Sequence, residues 1–181
     1  MYQEELLRRY AAGERDFAGV QLRGIDLEGL DLSGINLSGA NLSSAKLKGT
    51  NLTRANLSGV NMDRAIIDSS ILIEANLSGG AFSEGMFSNS DFRRANLDRI
   101  GMAEGNIVGC NMEGASLREA YFAEGYMSDV NLRNANLEGI IPMISMNGVD
   151  LTGATGFNPP CSEYWNLTLP DGTFIADWEI K

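Results

Sequence analysis

Two cysteines, 24 acidic residues and no histidine bound the chemistry open to this 181-residue chain. Without histidine, the commonest general base and metal ligand at neutral pH is missing. Cys110 and Cys161 lie far apart in sequence and form no CxxC pair, which argues against zinc. No glycine-rich phosphate loop occurs, and Ser-Gly pairs such as Ser33-Gly34 and Ser38-Gly39 read as chain corners, not nucleophile elbows. The expectation is a protein that is not an enzyme and takes no cofactor or metal. One covalent possibility is a reactive thiol at Cys161, beside Pro159 and Pro160. The acids offer binding instead of catalysis. Glu84, Glu104 and Glu124 recur at 20-residue intervals in SEG, AEG and AEG. Stacked carboxylates of this kind are either a solvated, splayed column or an anionic stripe for a basic partner or a cation.

The spacing of those acids comes from a stricter pattern. From Phe17 to Leu137 every fifth residue is Leu, Ile, Met or Phe, for twenty-five positions in a row. A period of five fits neither the two-residue alternation of a strand nor the 3.6 of a helix. The chain must turn a corner about every five residues, each time sending one large apolar side chain to a common axis. The residue two before each large one is usually small, as at Ala40, Ala55, Ala75, Ala95 and Ala135. The residue between is very often Asn or Asp, and Ser, Gly or a charged residue follows. Each unit is a short extended stretch ending in a turn.

ANLSS at 40–44, ANLSG at 55–59 and 75–79, ANLDR at 95–99 and ANLEG at 135–139 resemble the A(D/N)LXX motif of pentapeptide-repeat proteins. The resemblance spans about three-quarters of the chain. It implies an all-β fold, a right-handed quadrilateral β-helix with four pentapeptides per coil. A 20-residue super-period supports four-sided coils independently: FSEGMF at 82–87, MAEGNI at 102–107 and FAEGYM at 122–127 are three versions of one theme. The repeat length gives about seven coils and, at roughly 4.8 Å per coil, a rod of about 30–35 Å.

Three zones follow. Residues 1–14 are read as a capping helix, with Leu6, Leu7 and Tyr10 on one face and Gly13 as its stop. Residues 15–153 form the β-helix. Residues 154–181 lose the register and carry Phe157, Tyr164, Trp165, Phe174 and Trp178, an aromatic segment read as a C-terminal cap or a homodimer interface. The phase breaks once before the end. Pro142 stands where a large apolar residue is due, and a four-residue step from Leu137 to Ile141 is expected to restore the register through Met146 and Leu151. The leader ELLRRYAAGERDF and the TLPDGTFI segment at 168–175 resemble the ends of stand-alone cyanobacterial members of the family.

Apolar residues at outward positions mark a candidate protein-binding patch: Ile66, Ile71, Ile73, Met86 and Val108, on adjoining faces near the middle of the rod. The net charge of −10 argues against direct binding to nucleic acid or an anionic membrane and permits a basic protein partner. Residues 91–181 carry 13 acids and 6 bases, a net of −7 against −3 for residues 1–90. The start has no apolar run of signal-peptide length, and two thiols point to a reducing, cytoplasmic setting. The expected function is a non-catalytic scaffold or interaction module, monomeric or dimeric through its C-terminal segment. The alternative is a DNA-mimicking regulator of DNA gyrase, because some pentapeptide-repeat proteins of this length bind that enzyme with an acidic rod. The helical start, the absence of a loop between repeats and the lack of a dimerising C-terminal helix depart from that pattern.

Overall fold

The computed structural model describes residues 1–158 and 163–176. Its body is a four-sided solenoid. Face A carries the large residues Phe17, Leu37, Leu57, Leu77, Leu97, Leu117 and Leu137, and faces B, C and D begin with Leu22, Leu27 and Leu32. On face A, parallel bridges run from Asp16 through Asn36, Asn56, Asn76, Asn96, Ser116 and Asn136 to Thr155. Each step of 20 residues is one coil. All twenty-five residues of the five-residue series are buried, at 2 % exposure or less.

The backbone ladder explains why one residue in five can hold the coil. The N–H of Phe17 donates to the Asn36 carbonyl, and the N–H of Asn36 returns a bond to the Arg15 carbonyl, both at 2.7 Å. At the corner, Ala40 N–H donates to Leu37 O at 3.0 Å, with Gly39 at φ +63°. That third turn residue always lies in the left-handed region, where glycine is cheapest. Outward Asn residues stabilise the turn: Asn36 Oδ1 accepts from Ser38 N–H at 3.1 Å, and Asn56 Oδ1 from Ser58 N–H at 3.2 Å.

Faces B and C become true strands toward the C-terminal half. β1 (Ile66–Asp68), β2 (Met86–Ser88), β4 (Asn106–Val108), the second half of β5 (Tyr121–Ser128), the end of β6 (Ile141–Asn147) and β7 (Tyr164–Trp165) stack as one parallel sheet on face C. β3 (Gly101–Ala103) pairs with the first half of β5 on face B. The core there is aromatic. Phe87 meets Phe82 edge-on at 5.3 Å and stacks on Phe92 at 5.1 Å. Space for such rings comes from the small slot: a Cβ on Gly80 would meet the Phe82 ring, and one on Gly125 would strike the Gly105 carbonyl.

Along the corner between faces C and D the small slot is polar. Thr50 Oγ1 donates to Leu27 O at 2.8 Å, the Ser70 hydroxyl donates to Leu47 O, and Ser90 Oγ donates to Ser88 O at 2.7 Å while accepting from Ser70 N–H at 3.0 Å. Cys110 continues the column, buried, with its thiol directed at Val108 O.

Both described ends are covered. α1 (Gln3–Ala11) buries Leu6, rests Leu7 and Tyr10 on the core, and sends the Tyr10 hydroxyl to Ser33 O at 2.8 Å. At the other end β7 and β8 (Leu167–Thr168) extend faces C and D by part of a coil, and Leu167 plugs the core. β9 (Phe174–Ile175) folds back antiparallel on β8.

The register break lies later than the sequence pattern placed it. Ile141 pairs with Tyr121 and is half exposed, so it is not a core residue. Pro142 keeps the five-residue step opposite Phe122, and the chain is short by one residue at the following corner, where Tyr126 faces Ser145. Ile144, Met146 and Leu151 then fill the axis. Pro142 lacks the N–H that this position elsewhere donates to the following coil, as Phe17 does to the Asn36 carbonyl.

Candidate functional site

Face C departs most clearly from the asparagine surface of face A, and faces B and D carry further exposed apolar residues. On face A the outward column is Asn36, Asn56, Asn76 and Asn96. On face C the equivalent column reads Lys46, Ile66, Met86, Asn106 and Tyr126. Ile66, Met86 and Tyr126 are 45 %, 47 % and 46 % exposed. Val108, one column over, follows Ser88 in register and is partly buried. Ile71 and Ile73 lie around the corner on face D, the first exposed and the second partly buried. The five apolar residues singled out in the sequence therefore split into three on face C and two on face D.

The structure adds residues to that surface. Tyr121 and Ile141 stand exposed on face B, and Tyr126 and Trp165 on face C. Tyr121 and Tyr126 occupy the outward position that already singles out Ile66 and Met86, so the same rule finds them. Trp165 could not be placed that way, because it follows the register break. Tyr126 and Trp165 wall a hollow of about 380 Å³ that is also lined by Met127, Ser128, Ser145 and Asn147.

Glu84, Glu104 and Glu124 stand at the corner between faces B and C, all with φ between +56° and +58°. They are not equivalent. Arg64 grips Glu84 through two bonds, at 3.0 and 2.7 Å, and holds its carboxyl below the ordinary carboxylate value. Glu104 and Glu124 have no ion pair among the described residues. Elsewhere cross-coil pairing is the rule. Arg54 and Arg94 flank Glu74 at 2.8 and 3.0 Å, Arg99 meets Glu119 at 2.8 Å, and Arg118 meets Glu138 at 3.5 Å.

Chemistry beyond contact has little to work with. Among the described residues no three His, Cys, Asp or Glu side chains converge on a point that could hold a metal ion. Burial pushes the Cys110 thiol up to about 11, the opposite of nucleophile activation. Cys161 and Trp178 lie outside the described residues. A depression of about 460 Å³ on face A is lined by Asp98, Arg99, Arg118 and Glu119; Arg99 pairs with Glu119, Asp98 accepts from the Arg118 backbone N–H, and the Arg118 guanidinium turns to Glu138. No helix among the described residues is long and apolar enough to cross a membrane.

The family model for pentapeptide repeats matches residues 16–54, 35–72, 45–83, 70–99 and 106–139. The chain is a pentapeptide-repeat protein. Solved structures of the family include HetL, a protein involved in heterocyst differentiation regulation from Nostoc sp. strain PCC 7120, at 24 % identity over 96 % of this chain and 99 % of that one, with a TM-score of 0.27. A second Nostoc PCC 7120 pentapeptide-repeat protein, alr5209, is 30 % identical over 61 % of this chain and 80 % of its own length, with a TM-score of 0.29. QnrB1, a plasmid-mediated fluoroquinolone resistance protein, is 15 % identical over 89 % of this chain and 87 % of its own, with a TM-score of 0.43. Nothing among curated proteins matches the sequence. The family model describes a repeat fold and specifies no reaction.

Proposed function

We propose that this pentapeptide-repeat protein is a non-catalytic scaffold that docks a protein partner on face C and the adjoining edge of face D, through Ile66, Met86 and Val108 with Ile71 and Ile73. The carrying observation is that Ile66, Met86 and Tyr126 stand exposed in a face C column interrupted only by Asn106, on a continuous parallel sheet, where the face A column reads Asn36, Asn56, Asn76 and Asn96. A rigid solenoid supports this use, since outward columns vary without disturbing the core. Its two thiols fit a reducing compartment, which we take to be the cytoplasm.

The gyrase reading has less support. A duplex mimic needs a long row of carboxylates free to replace phosphates. Here Glu74, Glu84, Glu119 and Glu138 are each matched to an arginine one coil away, which leaves, among the described residues, Glu104 and Glu124 as the unpaired acids of their column. The test is a pull-down from host lysate with the wild type and Ile66→Lys/Met86→Lys, at low and moderate salt, read by mass spectrometry. A partner that survives moderate salt and is lost on the double variant is expected. Recovery of gyrase subunits that fall away with salt, unaffected by the variant, would overturn the scaffold in favour of mimicry.

A further inference from the structure

The hollow at the C-terminal end of face C has a definite construction. Tyr126 and Trp165 stand two coils apart on neighbouring columns, Tyr126 in register with Ser145 and Trp165 with Asn147, so they face each other on a diagonal of roughly 12 Å across the coil that carries Ser145 and Asn147. The slot exists because the intermediate coil carries small polar side chains between two exposed rings. Its volume of about 380 Å³ can take one aromatic or long aliphatic side chain. Beyond its lining, the two corners of the Tyr126 coil are acidic. Along the chain Glu124, Gly125, Tyr126, Met127, Ser128 and Asp129 cross the whole face, so Glu124 marks one corner and Asp129 the other. Asp129 accepts a hydrogen bond from the Ser128 hydroxyl at 2.9 Å, and neither carboxylate has an ion pair among the described residues.

We infer that this slot binds a basic segment of a partner protein, one aromatic side chain entering between Tyr126 and Trp165 while flanking arginines or lysines reach Glu124 and Asp129. The inference rests on the scaffold reading and narrows it to a partner chemistry. Charge selects the occupant. Nucleic acid and anionic lipid are repelled by both corners, and a second copy of this chain arrives with a net charge of −10. Only a cationic segment that carries an aromatic side chain satisfies the acidic corners and the two ring walls together. About five extended residues separate the two corners, roughly 16 Å, so basic residues two positions either side of the aromatic one fit the span.

The probe is the labelled peptide acetyl-Gly-Arg-Ser-Trp-Ser-Arg-Gly-amide, followed by fluorescence anisotropy against the full chain. Binding that weakens as salt rises is expected, and replacing either both arginines with glutamate or the tryptophan with serine lowers affinity at least about 10-fold. Glu124→Gln/Asp129→Asn should lower affinity about 10-fold and flatten the salt dependence, while Trp165→Ala lowers it similarly with the salt dependence kept. Circular dichroism of each variant separates these effects from unfolding. No binding, or equal binding by all variants, overturns the slot. A dimer in sedimentation that dissociates on Trp165→Ala also overturns it, because a second copy then covers the slot. If the peptide fails while lysate still yields a partner that Ile66→Lys/Met86→Lys loses, the scaffold stands and only the slot falls.

Discussion

Faces A and C enclose one core from opposite sides, and both follow the same inward rule. Face A contributes Leu57, Leu77 and Leu97, with Ala55, Ala75 and Ala95 beside them. Face C contributes Ile67, Phe87 and Ile107, with Ala65, Gly85 and Gly105 in the same slots. Outward, they part. Asparagines on face A bond one another and their own turns, so its surface serves the coil. On face C Ile66, Met86 and Tyr126 face solvent, and two carboxylates at its B-side corner have no ion-pair partner among the described residues. The axis fixes one residue in five and the small slot limits another, so the remaining positions can serve the coil or serve a partner.

The widest gap between the faces lies in their small slots. Gly125→Ala on face C places a Cβ against the Gly105 carbonyl, where backbone must move, and should destabilise by about 3 kcal/mol or more. Ala135→Gly on face A only removes a methyl and adds backbone freedom, for about 1 kcal/mol. Urea midpoints of the two variants check the ratio. Similar losses would mean that the two small columns are packed alike and that glycine on face C is incidental.

Next in size is an alkaline effect at the corner that closes face C. The unfolded Cys110 thiol ionises near 9.0, and burial pushes the folded thiol up to about 11. The folded state therefore holds its proton longer. The contribution is fully present below pH 9 and is lost as pH rises through 11, about 1.4 kcal/mol per pH unit. The total is about 2–3 kcal/mol by the end of that window. Cys110→Ala should remove this part of the alkaline loss, measured as the difference between the two proteins' stabilities at pH 8 and pH 10.5. A parallel decline in both would place the thiol in contact with water.

The same column separates hydroxyls that matter from those that do not. Ser90→Ala deprives the buried Ser70 N–H of its acceptor and should cost about 1–3 kcal/mol. Ser70→Ala removes a donor to the Leu47 carbonyl, which Thr50 N–H already bonds at 3.3 Å, and should cost under about 1 kcal/mol. Equal effects would point to simple loss of volume and not to an orphaned donor.

Much of this was legible before the coordinates. A period of five names every axial residue from Phe17 to Leu137, because each unit must return one side chain to the same line. The Arg54–Glu74–Arg94 ladder follows from the 20-residue coil in the same way. What the period does not reveal is where an irregular coil absorbs its missing residue. Either Ile141 or Pro142 can be drawn inward on paper, and it is the pairing of Ile141 with Tyr121 and of Pro142 with Phe122 that decides between them. Trp165 and the hollow lie beyond that break, so their position was not readable. The column of glutamates was readable, and the same 20-residue step sets Arg64 beside Glu84 while Glu104 and Glu124 have glutamates one coil below. Their inequality was therefore legible too, a signal that reading the three as one column misses.

The smallest effect tests the division of labour most directly. Asn56 Oδ1 accepts from Ser58 N–H, and its amide donates to Asn36 Oδ1 at 3.1 Å. Asn56→Ala should therefore destabilise by about 0.5–1 kcal/mol, limited because water can replace part of what is lost. Met86→Asn puts the face A residue type into face C. If Met86 serves the coil, this substitution destabilises the chain, because its side chain leaves Ile66 and the neighbouring sheet. If it serves a partner, stability stays within about 0.5 kcal/mol of wild type or rises, since an outward residue away from buried contacts contributes little. Retention of the lysate partner then falls even though the fold is intact. Loss of both stability and partner would collapse the distinction between the faces, and Ile66 and Met86 would become packing residues that happen to be exposed.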